Sequence, residues 1–169
     1  MALTEIGRYM VVQVRRAETD EAPIVAALVM ELTAEISLKC EGTKFQQDPV
    51  LTTGLCVEWM RDNRYRVLLA YAGDEAVGVL TIAETYALYA GGKIGVIQEC
   101  FVSASHRGQG VGRQLIQAAL ATGAELGWAC TELCTPPLPQ FEQTIEFYQQ
   151  HGFVPVGGRK MRRQSRPLK

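Results

Sequence analysis

Between Ser105 and Leu115 the chain reads SHRGQGVGRQL, with Gly108, Gly110 and Gly112 at alternate positions between Arg107 and Arg113. Glycine adds no side chain to a core and is costly to order, so this density points to a need for bare backbone. An apolar run precedes the stretch and helical spacing follows it, which makes it a loop between a strand and a helix. That arrangement aims several backbone N–H groups and the positive end of a helix dipole at one point, and phosphate is the natural occupant. Alternating glycines let the backbone curl against phosphate oxygens, while Arg107 and Arg113 flank the loop with positive charge.

Spacing narrows the choice among phosphate binders. The pattern G-x-x-x-x-G-K-[ST] is absent, and G-x-G-x-x-G fails because Arg113 stands where its third glycine belongs. What fits is Arg-x-x-Gly-x-Gly, formed by Arg107, Gly110 and Gly112.

The elements that must carry this loop can be read from periodicity. MVVQVRRA alternates as a first strand, and Ile24, Leu28, Leu32 and Ile36 then recur at steps of four in a helix capped by Thr19 or Asp20. Asp48 and Pro49 open a second helix with Leu51, Leu55 and Trp59 on its apolar stripe. YRVLLAYAGDEAVGVLTIAETY predicts a hairpin turning at Gly73 and Asp74, and KIGVIQECFV a further strand leading into the glycine loop. Val111 to Leu126 is helical and ends at Gly127; WACTELCT is a strand, PPLP a loop, QFEQTIEFYQQ a helix closed by Gly152, and FVPVGGRKMRR a terminal strand or hairpin. The expected order is β-α-α-β-β-β-α-β-α-β in one α/β domain covering 1–169.

The totals agree with one domain: 169 residues, 47% apolar and 21% charged, with net charge −1. That charge and the lack of a long apolar run make nucleic acid and membrane poor partners. The opening residues lack the pattern of a secretion signal, so a cytoplasmic location is expected. Cys40, Cys56, Cys100, Cys130 and Cys134 show no zinc or dithiol spacing and are expected as reduced, mostly buried thiols. Arg159, Lys160, Arg162, Arg163, Arg166 and Lys169 form a basic tail, read as solvated or as a contact for a phosphate or acidic partner.

With its strand, Arg107-x-x-Gly110-x-Gly112 and helix, IQECFVSASHRGQGVGRQLIQAAL resembles the signature of the GNAT superfamily of acyl-CoA N-acyltransferases. Downstream, IEFYQQHGFVPVG is similar to that family's helix tyrosine followed by a glycine, an aromatic and the last strands. The resemblance implies a mixed, mostly antiparallel sheet of 6–7 strands flanked by about four helices. It further implies that the loop Arg107, Gly108, Gln109, Gly110, Val111, Gly112 and Arg113 wraps the pyrophosphate of coenzyme A. Cys100, Phe101 and Val102 would pair through their backbones with the pantetheine arm as if it were an added strand. Acetyl-CoA is then the co-substrate, and no metal is needed.

Acetyl transfer to an amine needs a base, a polarised carbonyl and a proton for the leaving thiolate. A free alkyl amine, with a pKa near ~10.4, is mostly protonated at neutral pH. Glu99 is the candidate base, close to where family members often carry an acid, although the neighbouring position that is frequently acidic is Gln98; a structural carboxylate is the competing role. A backbone N–H at Phe101 or Val102 would polarise the thioester carbonyl. Tyr148 matches the family's general acid, with a phenol pKa near ~10 against ~8.5 for a thiol. The stripe Phe141, Ile145, Tyr148 reads equally as core.

Phe141 departs from the family's usual asparagine. The acceptor, a primary amine of a small molecule or peptide, is expected in a cleft walled by the first two helices. Glu31, Glu35, Glu41 and Asp48 there would suit a cationic acceptor, or are simply solvated. An acyl-enzyme on Cys100 or Cys134 with His106 or His151 as base is an alternative, although both histidines read as surface positions. A non-catalytic acyl-CoA-binding regulatory module is another. A homodimer through the last strands or the basic tail is compatible with the sequence, which does not decide it.

Overall fold

Alternating apolar residues in YRVLLAYA and EAVGVLTIAETYA meet across a tight turn in which Gly73 takes φ +61°. In the computed structural model, which describes residues 11–41, 44–157 and 160–165, these runs are β2 (Tyr65–Ala72) and β3 (Glu75–Ala87), paired antiparallel. They follow β1 (Val12–Arg16), α1 (Ala22–Lys39) and α2 (Pro49–Arg61). They lead into β4 (Gly92–Val102), α3 (Val111–Glu125), β5 (Cys130–Leu133) and α4 (Glu142–Gln150). The sheet runs β1-β2-β3-β4-β5, antiparallel except where β5 lies parallel to β4.

Among the described residues there are therefore five strands, not six or seven, and the predicted terminal strand is not formed at 153–157 or 160–165. Gly158, Arg159 and residues 166–169 lie outside the described residues. Pro155 has no N–H to give a ladder, and Val154, Val156 and Met161 stay exposed, so the alternating pattern finds no sheet face to cover. Two start signals also differ in fate. Asp48 caps α2 as expected, accepting from the N–H groups of Val50 at 2.9 Å and Leu51 at 3.0 Å. The first helix begins differently, with a short 3-10 turn at Thr19–Glu21 and the Glu21 carboxylate accepting from Glu18 N–H at 2.8 Å.

The sheet buries both faces. Leu80, Ile82 and Ile97 pack with Leu115 and Ile116 of α3, and Tyr148 of α4 joins them. On the other face Leu69, Val79 and Phe101 pack with Val25 and Leu28 of α1 and Cys56 and Met60 of α2.

Two irregularities in β4 prepare the site. Thr81 pairs with Glu99 but Ile82 with Ile97, so Gln98 is an extra residue, a bulge. It breaks the alternation: Ile97 packs on the α3 face, whereas Glu99, two residues on, joins Thr81 on the face of α1 and α2. The β5 ladder also covers β4 only from Ile94 to Ile97, leaving Glu99–Val102 paired with β3 alone.

Gly95 lets β4 carry its neighbour: a Cβ there would stand 2.1 Å from the Trp128 ring. Trp128 is fixed by donating from Nε1 to Glu84 at 2.7 Å. Gly95→Ala should therefore cost about 1–3 kcal/mol by overpacking. A lower denaturant midpoint at unchanged slope would show it, and an unchanged midpoint would contradict this packing.

Candidate active site

Where β4 loses β5, a cavity of about 830 Å³ opens, lined by the β4 segment, the glycine loop and the start of α3. Gly108 and Gly110 adopt φ +74° and +82°, and a Cβ on either would meet nothing within 4 Å. Their need for glycine is the left-handed backbone, which turns the chain so that the N-terminus of α3 faces the cavity. Gly112 differs from the expectation of a phosphate-hugging glycine. It is helical, and its Cβ would press on the Phe147 ring at 3.1 Å, so it is there for packing α3 against α4.

Of the predicted coenzyme residues, Cys100, Phe101, Val102, Arg107, Gly108, Gly110, Val111, Gly112 and Arg113 all line the cavity. Gln109 does not; its side chain turns back to donate to Ser105 O at 2.9 Å. Arg107 is held by the protein itself, donating to Val102 O at 2.9 Å and to Glu35 of α1 at 2.6 Å, with its guanidinium over Phe101. The Arg107 guanidinium in turn pulls the Glu35 carboxyl below the usual range, with Lys39 adding to the effect. Arg113 is exposed.

Tyr148 is buried at the same cavity, with its ring edge-on to Phe147 and Phe153. Its ring packs in the cluster that Cys100 lines, with the hydroxyl near the Cys100 thiol. Burial first, and then Cys100, raise the phenol's pKa, so it keeps its proton at neutral pH. Burial likewise pushes the Cys100 thiol up to about 11. A thiol so raised is a poor nucleophile, which weighs against an acyl-enzyme on Cys100.

Glu99 faces elsewhere. Through the bulge it points to a second cavity of about 390 Å³, lined also by Trp59, Arg64, Tyr65, Ala83 and Gln98. The Tyr65 and Thr81 hydroxyls both donate to Glu99 Oε2, and Glu99 N–H donates to Thr81 Oγ1 at 3.1 Å. Gln98 lines both cavities, so the two candidate catalytic residues lie on opposite sides of β4 with the bulge between them.

Other expectations need correction. Glu35 is engaged with Arg107 and Lys39 and Asp48 caps a helix, while Glu31 and Glu41 are exposed, so these carboxylates do not form an acceptor wall together. Phe141, in the place of the asparagine, is buried with Ile36 and Cys40, and Lys39 lies over its ring at 5.1 Å. His106 is not a surface residue but is buried beside Ser105, because the loop folds its ring inward. His151 is half-buried and donates from Nδ1 to Phe147 O at 2.7 Å. All five cysteines are free, but only Cys40 and Cys56 are buried; Cys100 is half-buried and Cys130 and Cys134 are exposed. Tyr65, Thr81 and Trp59 escaped the sequence reading: as strand and helix residues with ordinary patterning they carry no local signal.

Comparison with known proteins fits this geometry. The family model described as an acetyltransferase (GNAT) domain matches residues 63–155. No curated protein matches the chain. Among solved structures, the aminoglycoside N-acetyltransferase AAC(6')-Iy in complex with CoA aligns with a TM-score of 0.76 at 17% identity, over 95% of this chain and 99% of that one. A ribosomal-protein-alanine N-acetyltransferase from Brucella melitensis biovar Abortus 2308 aligns at 0.67 and 18% identity, over 91% and 100%. A transcriptional regulator from Bacillus halodurans C-125 aligns at 0.73 and 26% identity, over 90% and 99%. With more than half of its residues matched by the family model and the glycine loop, splayed strand and helix tyrosine in one cavity, the chain belongs to the GNAT family of acetyltransferases.

Proposed function

We propose that this protein transfers the acetyl group of acetyl-CoA directly to a primary amine, with both substrates bound together. The observation that carries the reading is Tyr148: it is buried beside Cys100, on the β4 segment that β5 leaves uncovered, in the cavity that also holds the glycine loop. The loop from Arg107 to Arg113 and the α3 dipole suit the pyrophosphate. The free edge of β4 suits the amides of pantetheine, which pair as an added strand does.

In the reaction, Glu99 takes one proton from the incoming ammonium, directly or through water. The freed amine attacks the thioester carbon, whose oxyanion is held by a β4 backbone N–H at Phe101 or Val102. As the C–N bond forms and the C–S bond breaks, Tyr148 gives its proton to the departing sulfur. The second amine proton returns through solvent to the tyrosinate, and Glu99 releases its own, so the net products are the amide, CoA thiol and one proton. Burial matches the partners, since a cavity that raises the Tyr148 phenol and the Cys100 thiol also makes a departing thiolate more basic.

The test is continuous detection of CoA thiol from acetyl-CoA over a panel of primary amines. Amine-dependent release is expected. Coenzyme binding with no release on any amine would favour the non-catalytic binding module.

A further inference from the structure

None of the glycine-loop residues line the second cavity, yet it carries a built polar cluster under an aromatic wall. Trp59 stands edge-on to Tyr65 at a centroid distance of 5.5 Å, and both line the cavity with Glu99. Beneath them the Tyr65 and Thr81 hydroxyls both donate to the same carboxylate oxygen, Oε2, with their own oxygens 2.9 Å apart. Among the described residues no hydrogen bond reaches Oε1. Thr81 is fully buried and Tyr65 half-buried, so the lock on Oε2 is shielded from water while Glu99 stays open to the cavity. Tyr65 is raised well above a normal phenol, by burial first and by the Glu99 charge second, and stays a donor. At the rim Arg64 is paired with Asp62 at 2.6 Å and Glu58 at 3.5 Å, so its charge is already matched.

A carboxylate with one oxygen pinned and the other turned to a cavity under aromatic faces is suited to an alkylammonium ion. The ring faces attract the charge and accept the apolar chain, and the carboxylate receives the proton. Gln98 borders both cavities, so they lie side by side at the bulge. We infer that the cavity walled by Trp59, Tyr65, Gln98 and Glu99 admits the acceptor, that the acceptor is a cationic alkylamine, and that Tyr65 is a positioning residue which orients Glu99. This rests on the transferase reading above. The volume, about 390 Å³, is ample for such a chain.

The test uses 1,6-diaminohexane as acceptor with acetyl-CoA, comparing the unmodified protein, Trp59→Leu and Tyr65→Phe. Acetyl-CoA affinity is measured alongside in each. The diamine should be acetylated. Trp59→Leu removes the wall but not the lock, and should raise KM for the diamine about tenfold with little change in kcat. Tyr65→Phe keeps the ring and removes one of the two donors that pin Oε2, and should lower kcat by about tenfold or more with KM nearly unchanged. Neither should alter acetyl-CoA binding. Thr81→Ser, which keeps the hydroxyl, should retain kcat, as a merely structural role for that hydroxyl would not require alongside the Tyr65→Phe loss. Failure of the unmodified protein to bind acetyl-CoA would overturn the transferase reading itself. Acetyl-CoA binding with no transfer to the diamine, or with kinetics unmoved by both Trp59→Leu and Tyr65→Phe, would overturn this inference alone.

Discussion

Tyr148→Phe is expected to lower turnover about 100-fold or more while changing acetyl-CoA affinity less than threefold. The separation follows from what the substitution removes. The ring packs between Phe147 and Phe153 and within the cluster on the α3 face, and phenylalanine keeps all of that. What disappears is the hydroxyl near the Cys100 thiol, the source of the proton proposed for the leaving sulfur. Its loss also leaves no buried carbonyl or amide without a partner, so stability should hold. Kinetics at saturating acetyl-CoA, with calorimetry for the affinity, separate the two effects. Equal losses in both would reduce Tyr148 to a packing residue.

Gly110→Ala should produce the opposite division. At φ +82° an L-residue carries a backbone cost of about 1–2 kcal/mol, but the added methyl meets nothing within 4 Å in the free protein. The fold should therefore survive with a modest loss of stability. The open space beside that position is where the loop would close on a pyrophosphate, so a methyl and a shifted backbone should weaken acetyl-CoA by about tenfold or more. Thermal unfolding and calorimetric titration of the same variant read the two quantities. Unchanged affinity would mean that the loop does not hold the phosphates.

The elements that carry these two residues were legible in the sequence because their signals are local. Glycine at alternate positions before a helical stripe announces a turn and an N-terminus, and α3 begins at Val111 as expected. The tyrosine was singled out by its resemblance to the family's motif, its own periodicity reading as core, and Gly152 does end α4 with φ +86°. Asp48 with Pro49 and the Gly73 turn were legible for the same reason. The direction of Glu99 was not. It depends on a one-residue bulge at Gln98, and simple alternation would have put Glu99 on the same face as Ile97. Its partner Tyr65 lies 34 residues away and Thr81 18 residues away, a distance at which periodicity says nothing. The terminal strand failed because alternation in FVPVGGRKMRR describes a side-chain pattern, not a partner edge. The carboxylates of the first two helices misled for a related reason: Glu35 finds Arg107 only when α1 is laid against a loop 72 residues further on.

The most direct measurement is calorimetric titration of the purified protein with acetyl-CoA, with NADH and ATP as controls. One site of micromolar affinity for acetyl-CoA, and no comparable heat from the other two, is the predicted result. Absence of acetyl-CoA binding, or equal binding of all three, would contradict the assignment of the glycine loop and the function built on it.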